Sequence, residues 1–397
     1  MQCHYATNRY RRNQQAINLS HVCRRFRNVA LQTAALWTHL DTHRPLSETK
    51  EFLSRSGSSP LTIECSAGAR TELFPEFLAH IFPHSSRWSE VVELYMNIID
   101  KDTREHGLAY YGPNLSLPNL ASIRHTHIQD DPHEWKWEPW FYTPWSLPSL
   151  RSYTAVNVLP KAVFLWDGLT RCSLSWERTW PEYDCNDIDL RSIIHAREGI
   201  MALQHLSLSF DDIPFRSRPV DLPRATLLRV ETVVFEVKGR FDVEQVVETL
   251  LSKLDLPKLN DLSSSWSVDA KQSTGEGLPV VHLFESGLIP PAKLRRLRVA
   301  DDHSQLPYTL EDVMLQCTSL VDLTLCIPNA ALFCEVLHRR PRADDTFMKK
   351  LPPQTWTLKD CDAISRDDLQ YLIDELRRGP NWDTFSHVGS QLLRGSG

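Results

Sequence analysis

The chain has 397 residues, 44 Lys and Arg against 50 Asp and Glu, and a net charge of −6. At 42% apolar and 24% charged it has the composition of a soluble globular protein, which excludes disordered, collagenous and membrane-embedded classes. Fourteen glycines, about half the usual share, argue against phosphate-cradling loops, while 25 prolines point to frequently punctuated elements. No apolar run approaches the ~18 residues of a membrane helix, and the N-terminus is too polar for a signal peptide. Nine scattered cysteines with no C-x-x-C read as reduced thiols of a cytoplasmic or nuclear protein. Residues 1–40 carry six arginines and no acid, which leaves −12 on the remainder and makes a nucleic-acid partner an unfavoured expectation.

In chain order, Asn18–Gln32 is the first periodic segment. Leu19, Val22, Cys23, Phe26, Val29 and Ala30 recur at helical spacing, so they form one apolar stripe. Asn18 is a candidate N-cap, and Arg24, Arg25 and Arg27 fall on the solvated side. Thr33 could cap a second short helix presenting Leu36, Trp37 and Leu40, and Pro45 closes the unit. Two short amphipathic helices make a poor core by themselves, so their faces are expected to be covered by something else.

From Pro60 the texture changes. Strand-like runs recur at 61–65, 91–96, 120–128, 150–156, 169–176, 203–210, 227–237, 259–266, 294–300, 320–326 and 355–360, a mean step of about 29 residues. Several share L-P-x-L or L-x-x-L-x-L, as in Leu203–Leu206–Leu208, Leu256–Leu259–Leu262 and Leu320–Leu323–Leu325. Helical patterns fall between them at Glu72–Phe82, Phe241–Leu254, Thr309–Cys317, Ala330–Arg339 and Ile364–Arg378, the last stopping at Gly379-Pro380. A strand then a helix, repeated with these leucines, predicts an α/β chain folded as an irregular leucine-rich-repeat solenoid, whose repeats bury their leucines by stacking on one another. An ordinary α/β domain with leucine-rich strands is the alternative. The expected organisation is a helical unit over 1–45 and a repeat array over 46–397, with an aromatic insertion near 129–146.

The stretch Leu19-Ser-His-Val-Cys-Arg-Arg-Phe-Arg-Asn-Val-Ala-Leu-Gln-Thr-Ala-Ala-Leu-Trp37 resembles the second half of an F-box in the form common among mushroom-forming fungi, V-C-R-x-W-R-x-I-A followed by T-P-x-L-W. Phe26 stands for the usual tryptophan and Ala34 for the usual proline. Residues 51–63 are similar to the L-x-R-S-G-x-x-P-L-x-I element that follows in that family, and Arg87-Trp88-Ser89 to its next strand. The family's opening L-P-x-E-I-L helix has no counterpart in residues 1–16, which are polar and basic, so the unit is expected to be a partial F-box, truncated or vestigial. The resemblance implies a substrate receptor of an SCF-type ubiquitin ligase, with a Skp-type adaptor and its cullin complex as partners and an unknown protein as target. It implies adaptor-facing or core-facing roles for Leu19, Val22, Cys23, Phe26, Leu36 and Trp37. The alternative expectation is a non-ligase interaction scaffold of the same fold.

His125, His127, Asp130, Asp131, His133 and Glu134 crowd ten residues and raise the question of a metal site, but no rigid spacing such as H-E-x-x-H anchors them. They read as a solvated loop. Trp135, Trp137, Trp140, Tyr142 and Trp145 follow, broken by Pro139 and Pro144, and form a candidate target-binding loop because Trp and Tyr dominate interface hot spots; the alternative is a loop folded onto its own repeat. Cys317, Cys326 and Cys334 read as buried core residues. No nucleophile–base, paired-carboxylate or phosphate-loop pattern is present, so neither catalysis nor a cofactor is expected.

Overall fold

The computed structural model describes residues 17–67, 74–96, 115–128, 145–157, 168–177, 201–211, 225–239, 254–268, 291–301, 316–326, 355–359, 361, 366–378 and 387–391. The chain divides into two compact units, residues 1–169 and 170–397. Both are α/β, and among the described residues every strand pairing is parallel.

In the first unit, residues 17–22 are helical and precede α1 (Arg24–Gln32), a 3-10 turn Ala34–Trp37 and β1 (His39–Asp41). Helix α2 (Leu46–Ser56) leads to β2 (Leu61–Ala67), and α3 (Phe74–Ile81) to β3 (Trp88–Met96). Strands β4 (Ser122–Ile128) and β5 (Ser152–Val156) complete the sheet, ordered as in the chain. Helix α3 is amphipathic in the simplest way: Phe74, Phe77, Leu78 and Ile81 fall at i, i+3, i+4 and i+7, and all four are buried.

The segment from Trp37 to Trp88 is held by specific contacts. Trp37 has no exposed surface and meets Phe52 edge to face, ring centroids 5.1 Å apart. Arg55 lies over its ring at 4.5 Å and Arg44 over that of Phe52 at 5.1 Å. Arg44 pairs with buried Asp41 at 2.9 Å and with Glu48 at 2.8 Å, so the buried charges satisfy one another. Gly57 ends α2 at φ +55°, a conformation that L side chains resist. Arg87 then donates to the Ser56 hydroxyl at 2.7 Å and to the Ser59 carbonyl, tying the end of α2 to the start of β3. The R-S-G-x-x-P motif is thus a physical unit: a stacking cation, a buried acceptor and a helix stop.

In the second unit β6 (Arg171–Glu177), β7 (His205–Asp211), β9 (Thr232–Gly239), β11 (Asp261–Val268), β12 (Arg296–Asp301), β13 (Asp322–Cys326), β14 (Thr355–Lys359) and β15 (His387–Gln391) pair in that order. The two-residue strands β8 (Ala225–Thr226) and β10 (Leu254–Asp255) pair separately. Alternation places one side chain in two inside. Cys172, Leu206, Val233, Leu262, Leu297, Leu323 and Trp356 form one buried row across neighbouring strands. Trp176, Phe210, Phe235 and Trp266 make successive ring contacts at 5.0, 5.8 and 5.1 Å, each at most 1% exposed. Each aromatic of this size contributes ~2–3 kcal/mol by burial. Helix α4 (Arg366–Arg378) follows β14 and covers most of the helix expected from residue 364.

The leucine pattern has a backbone cause. In L-x-x-L the fourth N–H donates to the first carbonyl, at 3.2 Å for Leu120→Leu117, 3.2 Å for Leu150→Leu147, 3.1 Å for Leu259→Leu256 and 3.1 Å for Leu320→Cys317. Both apolar ends of these turns are buried except Leu147, which is half-buried. The next residue's carbonyl accepts from two N–H groups of the following turn. In the second unit the carbonyls of Thr170, Gln204, Glu231, Asn260 and Arg295 do this in succession. Each turn is thereby registered on its neighbour before the strands pair. The helices expected at 241–254, 309–317 and 330–339 lie almost wholly outside the described residues.

Candidate functional site

The expected helix over 18–32 is two helical pieces. Cys23 sits in extended backbone (φ −161°, ψ 171°) between residues 17–22 and α1. Residue 17 is already helical, so Asn18 lies inside the first piece and does not cap it. The interruption leaves carbonyls of the first piece without helical donors. Arg27 Nε takes one of them, donating to the Ser20 carbonyl at 2.9 Å, while Ser20 Oγ donates to Ile17 O at 2.7 Å. Arg27 N bonds Cys23 O at 2.9 Å and opens α1. At the far end the Thr33 hydroxyl turns back to Val29 O at 2.7 Å and closes α1, while its carbonyl accepts the Leu36 N–H at 3.0 Å, so Thr33 opens the next turn through its backbone and not its side chain.

The break does not remove the apolar face. Leu19 is 37% exposed, Val22 63%, Phe26 48%, Val29 57% and Leu31 38%, and Cys23 is exposed as well. Of the nine residues of α1 only Ala30 is buried. Leu36 is half-buried. Scattered exposed hydrophobics are normal, whereas a contiguous set on consecutive turns marks an interaction surface. Arg24 and Arg25 are exposed on the same helix, giving the face a basic flank.

Of the adaptor-facing and core-facing roles expected, Trp37 takes the second and makes no adaptor contact: it is buried completely, with its indole N–H donated to Ala30 O at 2.8 Å. It is a positioning residue that fixes α1 to the rest of the first unit. Val29 belongs to the exposed face but was absent from the expected site; its i+3 spacing from Phe26 was the available signal.

Of the aromatic set, Trp135, Trp137, Trp140 and Tyr142 lie outside the described residues. Trp145 is 6% exposed and flanks the parallel bridge between Ser116 and Ser146, so it belongs to the first unit's core and not to an exposed recognition loop. His125 is also corrected: it is 2% exposed and inward-facing on β4, not part of a solvated loop. Asp130, Asp131, His133 and Glu134 fall outside the described residues. Among the described residues no group of three metal-ligating side chains occurs, and no helix is long and apolar enough to cross a membrane. Burial pushes the Cys317 thiol up to about 12, the behaviour of an inert core thiol, and Cys326 is buried too. Glu177 at the end of β6 is raised by burial first and by neighbouring Asp211 second, with Lys238 and the Ser175 hydroxyl opposing.

No protein-family model matches the chain, and a search of curated proteins finds no match either.

Proposed function

We propose that the chain is a substrate-recognition subunit of an SCF-type ubiquitin ligase. The helical face of residues 17–32 docks a Skp-type adaptor, and a leucine-rich-repeat solenoid of turn, strand and crossover holds a protein target. One observation carries the reading: the helical residues 17–32 leave Val22, Phe26 and Val29 about half or more exposed, with Leu19 one turn before Val22, next to a segment otherwise tightly packed. The L-x-x-L turns and their shared carbonyl ladder support the repeat reading. Ubiquitin transfer itself would be performed by associated subunits, so the chain needs no cofactor. Such a subunit acts in the cytoplasm or nucleus.

The test is co-purification of the full chain with a Skp-type adaptor. Wild type is expected to bind and Phe26→Ala to weaken binding about tenfold or more, as loss of an aromatic anchor does. Absence of wild-type binding removes the ligase role and leaves a protein-interaction scaffold of the same fold.

A further inference from the structure

The turns of the second unit carry a second surface. Met201 and Leu228 stand four residues before β7 and β9, and they are 62% and 52% exposed. Pro257 holds the same place before β11. One position further along, Arg229, Lys258 and Lys293 precede β9, β11 and β12 by three residues, and all three are exposed. These strands are immediate neighbours in register. The turns at 227–230 and 256–259 bury their first and fourth residues and turn the two between outward, Pro257 only in part. Stacked turns therefore produce two adjacent rows, one apolar and one basic. Lys293 donates to Pro257 O at 3.0 Å, which holds its ammonium on the rim. Arg295, also exposed, adds a cation two residues after Lys293, and Glu231 and Asp255 are the exposed acids between these turns. A net cationic strip on a chain of net charge −6 is a local exception.

We propose that this rim docks an acidic amphipathic helix of a partner protein, its carboxylates on Arg229, Lys258, Lys293 and Arg295 and its apolar residues on Met201 and Leu228. Spacing selects the helix. Neighbouring strands set the cations about 4.8 Å apart, close to the ~5–6 Å between i and i+3 or i+4 side chains of a helix, whereas same-side residues of an extended chain repeat at about 6.6 Å. A nucleic acid would offer phosphates to the basic row and nothing to the apolar one. The proposal stands apart from adaptor docking, which uses another surface.

The experiment is fluorescence anisotropy on the full chain with a labelled helical peptide bearing a Glu stripe beside a Leu stripe. The controls are a scrambled peptide of the same composition and a Lys-for-Glu version. Wild type is expected to prefer the striped acidic peptide by about tenfold, with affinity falling as salt rises. Lys258→Glu is expected to weaken it about threefold, and the combined R229E, K258E and K293E change at least about tenfold. Leu228→Ser should also weaken it, while Lys50→Glu on exposed α2 surface should not. All these positions are exposed, so circular dichroism should be unchanged. Equal binding of striped and scrambled peptides, full affinity in Lys258→Glu, or no saturable binding by wild type overturns the proposal. So does a single-stranded RNA or a phosphatidylserine vesicle that binds more tightly and loses affinity through the same substitutions.

Discussion

Helices α1 and α2 differ by only two residues in length and are both amphipathic, yet they meet opposite fates. The nine residues of α1 bury Ala30 alone, whereas the eleven of α2 bury Thr49, Phe52, Leu53 and Ser56. The difference lies in what the chain supplies next to each. Helix α2 receives Trp37 from one side, Arg44 over Phe52, and Arg87 at its C-terminal end. Helix α1 receives the Trp37 indole on a single carbonyl and shows its other apolar residues to solvent. Amphipathicity therefore says that a face wants cover. Only the neighbours say whether the molecule provides it.

The largest way to break this comparison is Trp37→Ala. Removing a fully buried indole leaves a cavity beside Phe52, strips Arg55 of its aromatic seat and leaves the Ala30 carbonyl with only the Thr33 N–H, so urea unfolding should show a loss of about 3–5 kcal/mol. Arg87→Met comes next. It keeps the aliphatic stem but deletes the bonds to Ser56 Oγ and Ser59 O, leaving a buried hydroxyl with one partner fewer, at about 1–3 kcal/mol by the same measurement. Gly57→Ala should cost about 1–2 kcal/mol. An added Cβ there meets nothing within 4 Å, so the whole penalty is conformational, from holding alanine at φ +55°. If Gly57→Ala were neutral, α2 would not depend on its stop as argued.

Much of this arrangement is legible in the residues. All eleven strand runs are strands, because leucine alternation marks a face at period two. Most were expected about two residues early, since the last leucine of the L-x-x-L turn precedes the strand it introduces. Strand β1 went unseen because three residues carry no period, and β15 because HVGSQ has a single apolar residue; pairing with β14 makes it a strand. The break at Cys23 is invisible, for the apolar spacing runs on through it with no Pro or Gly to mark it. The residues leave Trp37 and Trp145 open between interface and core because aromatic side chains suit both, and side-chain type alone does not choose between them. His125 was grouped with the charged loop that follows, although it stands two residues after Ile123 on the same inward face of β4.

The smallest expected stability change sharpens the comparison most. Phe26→Ser alters a side chain that is 48% exposed and makes no ring contact among the described residues. Serine is only slightly poorer than phenylalanine in a helix, and surface changes of this kind stay within about 0.5 kcal/mol. The urea midpoint should therefore barely move, while adaptor binding falls as it does for Phe26→Ala. Stability and binding then separate at Phe26 and fail together at Trp37, because one ring is half-exposed and the other fully buried. Should Phe26→Ser lower stability by as much as Arg87→Met, Phe26 is covered by its own chain and α1 is no more a free face than α2.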